Sequence, residues 1–278
     1  MKPLHIDAKT ISDAWFQLLW NIFNNSYKQT IQKGSFENEQ YRLQYPGVSV
    51  YIEHPDKDIV PIIPAALGIP APTTMEYIED YFANYLMDPA LRENETYKYA
   101  SRIHEYTGYY KNETITKIPP TQLERVIEML KRTPLTNQAV IEIAKPTDIV
   151  TCVGNDGKLD PPCLRLIDFK VIPIPKTCQY CNDTGWQGGS CPGCSNNQGV
   201  RTGKITNLVL TVSVYFRSWD LWAGFPSNLG GIELLKQYVA QETGLVNGTM
   251  YAYSAGLHIY GYQEELARIR TMKNTTKF

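Results

Sequence analysis

Residues 164–174 and 205–217 are long runs rich in β-branched and aromatic side chains, and a Gly- and Cys-rich stretch separates them. Hairpins close with two to five residues, so a separation of roughly 30 residues is too long for an ordinary turn. The spacing predicts a small module, residues 175–204, inserted between two core strands. Inside it stand two CxxC pairs, Cys178-Gln179-Tyr180-Cys181 and Cys191-Pro192-Gly193-Cys194, among Gly185, Gly188, Gly189 and Gly193. Each pair can occupy one edge of a metal tetrahedron, with the glycines giving the tight turns that bring sulfurs together. Four thiolates close the shell of a zinc ion and leave no position for a substrate. The expectation is therefore a structural zinc held by Cys178, Cys181, Cys191 and Cys194. A disulfide pair, unliganded thiols and a redox CxxC are the competing readings; no thioredoxin-like βαβ pattern surrounds the motif.

The compartment bears on that choice. The amino terminus, Met1-Lys2-Pro3-Leu4-His5-Ile6-Asp7, has no apolar signal core. The longest apolar stretch, residues 59–71, is broken by prolines and falls short of the roughly 20 residues of a spanning helix. No membrane association and a cytoplasmic, reducing location are expected, where six cysteines serve as ligands, nucleophile or core. Asn-X-Ser/Thr triplets at Asn94, Asn112 and Asn247 are then chance. With 278 residues, 43% hydrophobic and 20% charged, the chain is long enough for one large core spanning 1–278. A net charge of −1 gives no broad attraction to nucleic acid, although a small phosphate needs only a local cluster of donors.

Apolar residues at helical spacing (Ile11, Trp15, Leu18, Leu19, Ile22) predict one amphipathic helix over about 7–33. Strands are expected at 48–52 and 139–143, helices at 74–87 and 120–132, and a Gly/Pro turn at 224–228. A helix near 231–242, a strand near 249–255 and a last helix from about Gln263 complete the pattern.

Four motifs then follow one another over roughly a hundred residues: Pro161-Pro162-Cys163, Arg217-Ser218-Trp219-Asp220, Gly224-Phe225-Pro226-Ser227-Asn228-Leu229 and His258-Ile259-Tyr260. In order and spacing they resemble the thymidylate synthase superfamily; the first 130 residues match only loosely. The resemblance implies an α+β fold, a large mixed sheet with packed helices, and methylation of dUMP at C5 with methylenetetrahydrofolate. It also implies a homodimer. The chemistry is consistent with the residue types. Pyrimidine C5 is a poor nucleophile until a thiolate adds at C6, and Cys163 is the candidate thiolate. Arg217 could lower that thiol's pKa and, with Ser218, grip the nucleotide phosphate. By position in the family motifs, Asn228 pairs with the uracil edge, His258 and Tyr260 hold the sugar hydroxyl, Asp220 meets the pterin and Tyr99 lies near the nucleophile. Glu79, with Glu76 second, is the expected general base. Alone, each has a plainer reading: a strand cysteine, a helix-capping Asn, a core histidine, a strand-end aspartate, an aromatic core residue, a solvated glutamate.

There are departures from the family. Leu164 follows the nucleophile where His is common, Phe216 precedes the Arg-Ser pair where Gln is common, and Leu135-Thr136-Asn137-Gln138-Ala139 stands where many members carry two arginines that reach the partner's phosphate. Arg132, Lys131, Lys33 and Arg42 are candidates to supply that charge. A Trp-rich folate segment and an apolar closing tail are not evident. These last departures keep a dUMP 5-hydroxymethylase, with water as the terminal nucleophile, as the alternative. A non-catalytic nucleotide or nucleic acid binder is the rival from another class, with intact Cys163, Arg217 and Asp220 against it.

Overall fold

The computed structural model describes residues 2–31, 40–93, 95, 97–105, 120–149, 161–176 and 205–273. Two mixed sheets and the helices packed on them make an α+β architecture. The first sheet has six strands in the order β1-β4-β9-β7-β6-β5: β1 (Leu4–Ala8), β4 (Val48–Ile52), β9 (Val246–Ser254), β7 (Ile205–Phe216), β6 (Leu164–Lys176) and β5 (Val140–Glu142). The second has four, β2 (Tyr27–Thr30), β3 (Tyr41–Gln44), β10 (Leu257–Tyr260) and β8 (Trp219–Asp220), in that order. Against the first sheet pack α1 (Ile11–Asn25), α3 (Tyr99–Ile103), α4 (Gln122–Arg132) and α5 (Gly224–Thr243), while α2 (Met75–Tyr81, continued as a π-helical stretch over Phe82–Met87) packs on α5; α6 (Glu264–Thr271) closes the described chain.

Local chemistry sets the helix starts. The Thr10 hydroxyl accepts from the Asp13 N–H and the Thr74 hydroxyl from the Tyr77 N–H, while Thr121 and Glu124 form a reciprocal capping box. Gly244, at φ 71°, ends α5 in the left-handed conformation that glycine adopts without strain.

The structure corrects the sequence reading at two places. The single helix expected over 7–33 is a strand, a helix and a second strand. β1 runs parallel beside β4, and polar β2 pairs antiparallel with β3. Neither strand is betrayed by its own residues, because each exists through its partner. The turn expected at 224–228 is the first turn of α5. Pro226 is tolerated there because the opening N–H groups of a helix have no intrahelical acceptor.

The β6–β7 ladder runs from Leu164↔Phe216 to Lys176↔Ile205 with a bulge between Leu164 and Leu166. Residues 177–204 thus leave and return at neighbouring strand ends. The four CxxC cysteines lie in that stretch, outside the described residues, as do Lys33 and Cys152. No helix among the described residues is long and apolar enough to cross a membrane.

Candidate active site

Cys163 opens β6, and its carbonyl accepts from the Arg217 N–H at 2.9 Å, which extends the ladder by one step past Leu164↔Phe216. The sulfur is half-buried against the core. Nucleophile and arginine are thereby fixed side by side on two central strands. The Arg217 side chain turns back on the approach to Cys163: Nε donates to the Pro162 carbonyl at 3.3 Å and a terminal nitrogen donates to the Pro161 carbonyl at 2.5 Å. It holds the loop that presents the thiol.

Tyrosines surround that thiol. Tyr99, buried, receives the Leu164 N–H on its hydroxyl at 3.2 Å. Tyr85 meets Tyr99 edge-on at 5.3 Å, and Tyr81 stacks on Tyr85 at 5.3 Å. Burial first, and the neighbouring Cys163 second, pushes the Tyr99 phenol well above its ordinary pKa, so it remains a protonated donor beside the sulfur. Tyr81 and Tyr85 are raised by burial as well. The sequence carried a signal for this cluster: Tyr77, Tyr81 and Tyr85 recur every four residues, one face of a helix.

A cleft of about 600 Å³ opens between the start of α2 and the start of α5, lined by Thr73, Thr74, Tyr77, Asp220, Ser227 and Asn228 among others. Asp220 ends β8 and accepts the N–H groups of Trp222, Ala223 and Gly224 at 3.0–3.2 Å, so it caps α5 from the cleft wall. Asn228, on the first turns of α5, accepts from the Trp219 indole at 2.9 Å, and its amide interacts with the Tyr81 hydroxyl. Ser227 reaches Thr73 across the cleft floor at 2.9 Å.

His258 is 2% exposed on β10, beside Asp220 of β8 in register. Nδ1 lies 2.8 Å from the Gly256 carbonyl, which can only accept, so Nδ1 carries the hydrogen. Burial lowers the ring's pKa and keeps it neutral, leaving Nε2 a bare acceptor without a partner. Tyr260 packs edge-on against His258 at 4.9 Å. Gly256 is required here, because a Cβ would stand 2.8 Å from the Arg217 carbonyl and 3.3 Å from the Ser218 Cα.

The structure therefore places Cys163, Tyr99, Arg217, Ser218, Asp220, Asn228, His258 and Tyr260 around one region. It does not bring Glu79 there. Glu79 and Glu76 are exposed on α2, while the face of that helix toward the site carries Tyr77 and Tyr81.

The model of the family described as thymidylate synthase matches residues 96–278, about two thirds of the chain. The chain belongs to that family. Across almost the whole chain, relatives named "Putative thymidylate synthase" are similar to it. That of Methanosarcina barkeri (strain Fusaro / DSM 804) is 28% identical over 94% of this chain and 91% of the relative. That of Methanopyrus kandleri is 22% identical over 93% and 94%. The solved thermostable thymidylate synthase A from Bacillus subtilis superposes with a TM-score of 0.56 at 14% identity, covering 96% of this chain and 85% of that one. The fold is thus the thymidylate synthase fold, α+β with mixed sheets and packed helices. The loosely patterned amino-terminal third, which the family model leaves out, is covered by that likeness too.

Proposed function

We propose that the protein transfers one carbon to C5 of dUMP, with Cys163 as the nucleophile that adds to C6 and methylenetetrahydrofolate as donor. The observation that carries this reading is the pairing of Cys163 with Arg217 on adjacent central strands, flanked by the Tyr99 phenol and near enough to Tyr260 for the two groups to interact electrostatically. Adding sulfur to C6 makes C5 an enolate carbon, and the Asn228 amide hydrogens suit the O4 on which that charge develops. His258 Nε2 accepts a sugar hydroxyl, and Ser218 with Arg217 stands where the phosphate is expected. The folate supplies the one-carbon unit and, for a methyl product, the hydride. The cleft beside Asp220 fits it in volume and in polar lining, with Tyr77 as an aromatic wall.

The insertion is assigned a structural zinc on the chemistry of four thiolates at CxxC spacing, and its ends meet at the Lys176↔Ile205 pair, which closes it as a module. The chain is also expected to act as a homodimer.

The deciding experiment incubates the protein with dUMP and methylenetetrahydrofolate and identifies the nucleotide by mass spectrometry, with zinc measured on the same preparation. A methylated product with dihydrofolate supports the synthase, and a hydroxymethylated product with tetrahydrofolate supports the water-terminated alternative. In parallel, 5-fluoro-dUMP with the folate should give a covalent adduct that Cys163→Ala abolishes. Unchanged dUMP together with no adduct would sink the catalytic reading in favour of a nucleotide binder. Less than one zinc per chain in reduced protein would sink the metal assignment.

A further inference from the structure

Trp219 is clamped from several sides. It is 4% exposed on β8, its ring lies on Phe216 at 3.9 Å with 7° between the planes, and Phe225 of α5 closes on it at 4.7 Å. Its backbone N–H donates to the Gly256 carbonyl, and it pairs with Leu257 of β10. Three strands and a helix thus fix the direction of the indole N–H, a group that can only donate. Its acceptor is Asn228 Oδ1 at 2.9 Å.

A carboxamide has two orientations of nearly equal shape, with oxygen and nitrogen exchanged, so in an open setting either order can face a ligand. Here one order is excluded. Turning the Asn228 amide over would set its NH2 group against the indole N–H, donor against donor, and strip a buried donor of its acceptor. The Tyr81 hydroxyl, with which the amide also interacts, imposes no such choice, because a phenol both donates and accepts. A carbonyl oxygen accepts twice and an NH2 group donates twice, so one lone pair and one hydrogen remain, in a fixed order, for a base edge that meets Asn228.

From this we infer that Trp219 is a positioning residue that locks the Asn228 carboxamide in the orientation that matches a 4-oxo pyrimidine and mismatches a 4-amino one. The inference rests on the dUMP reading above and deepens it. Uracil offers an N3–H donor beside an O4 acceptor, which the remaining lone pair and hydrogen meet in one order. Cytosine offers an N3 acceptor beside an N4 donor, which needs the reverse order. Rejection of cytosine then comes from the cost of unpairing the Trp219 N–H, a repulsive element set one residue behind the contact itself.

The test measures dUMP and dCMP affinity by calorimetry for the wild-type protein, Trp219→Phe, Trp219→Tyr and Tyr81→Phe. The wild type should bind dUMP more tightly than dCMP. Trp219→Phe removes the N–H, and Trp219→Tyr replaces it with a hydroxyl that both donates and accepts. Each should narrow the dUMP-to-dCMP ratio about 10–100-fold, chiefly by tightening dCMP, and either one suffices if the other does not fold. Tyr81→Phe should leave that ratio within about threefold of the wild-type value. The ratio is the control for a merely structural role, because damage to the pocket weakens both nucleotides alike. With dUMP bound, a ratio unchanged in the Trp219 variants, a ratio narrowed as far by Tyr81→Phe, or a wild type that does not prefer dUMP overturns the inference alone. If the wild type binds neither nucleotide, the dUMP reading fails and the inference falls with it.

Discussion

His258 shows how one residue's surroundings set its chemistry. Burial pulls its pKa down from 6.5, the Arg42 charge pulls it further, and the Gly256 carbonyl and Asp220 pull it back up without prevailing. The sign of the consequence follows from which state binds the proton. Below about pH 6.5 the unfolded chain takes up a proton that the native ring refuses, so this residue removes stability as pH falls and contributes no pH dependence above neutrality. Urea unfolding of wild type and His258→Gln between pH 5 and 7.5 should show the gap between them constant at the alkaline end and changing in the variant's favour toward pH 5. Parallel curves would refute the assignment. His104, whose pKa burial also lowers, contributes equally to both proteins. The sequence marked His258 through its motif, but its tautomer depends on Gly256 folding back beneath it, which no local pattern announces. Asn228 does not have the plainer role of a helix cap: it lies inside the first turns of α5, faces the cleft and accepts from the Trp219 indole.

At the scale of the element, α5 anchors the cleft through contacts that its sequence only half discloses. Gly231 lets α2 approach, since a Cβ there would lie 2.4 Å from the Tyr81 ring. Two residues later the helix begins a buried ion pair. Glu233 and Lys236 are both fully buried, 2.9 Å apart, with Lys236 donating to the Gly248 and Thr249 carbonyls and Glu233 accepting from Gln237 and Asn247. Removing one partner leaves a buried charge without compensation, so Lys236→Met should cost about 3–5 kcal/mol, while Glu233→Leu with Lys236→Met should recover much of it. Thermal and urea unfolding would decide this. A single substitution no worse than the double would mean that the pair is solvated in solution. Sequence periodicity shows that α5 is a helix with an apolar face; it does not show that two charged residues point inward, because the partner carbonyls belong to β9.

Over the whole molecule, the six-stranded sheet has one face on the helices and another that carries Ile172, Ile174, Tyr215, Val246 and Tyr253, each at least 36% exposed, with Tyr51 packed on Tyr251 at 5.2 Å. Exposed apolar residues this numerous, interspersed with Asp168 and Lys170, call for a cover, and the homodimer expected from the family resemblance would supply it with a second copy. Ile172→Lys combined with Tyr215→Lys should then yield monomers in sedimentation at micromolar concentration; a wild-type protein already monomeric there would exclude the dimer. The sequence by itself determined the family and pointed to the residues proposed for its chemistry. Cysteine, arginine, asparagine and histidine stand in motifs whose spacing survives without coordinates, and β6, β7 and every helix but the short α3 announce themselves by the pattern of what they bury. Only the tertiary structure decided the polar sheet of β2, β3, β10 and β8 and the packing of Tyr81 and Tyr85 toward Tyr99 beside Cys163. The physical reason is that periodicity records which side of a segment is buried, whereas the identity of a strand's neighbour is settled by hydrogen bonds between segments more than two hundred residues apart, as between β3 and β10.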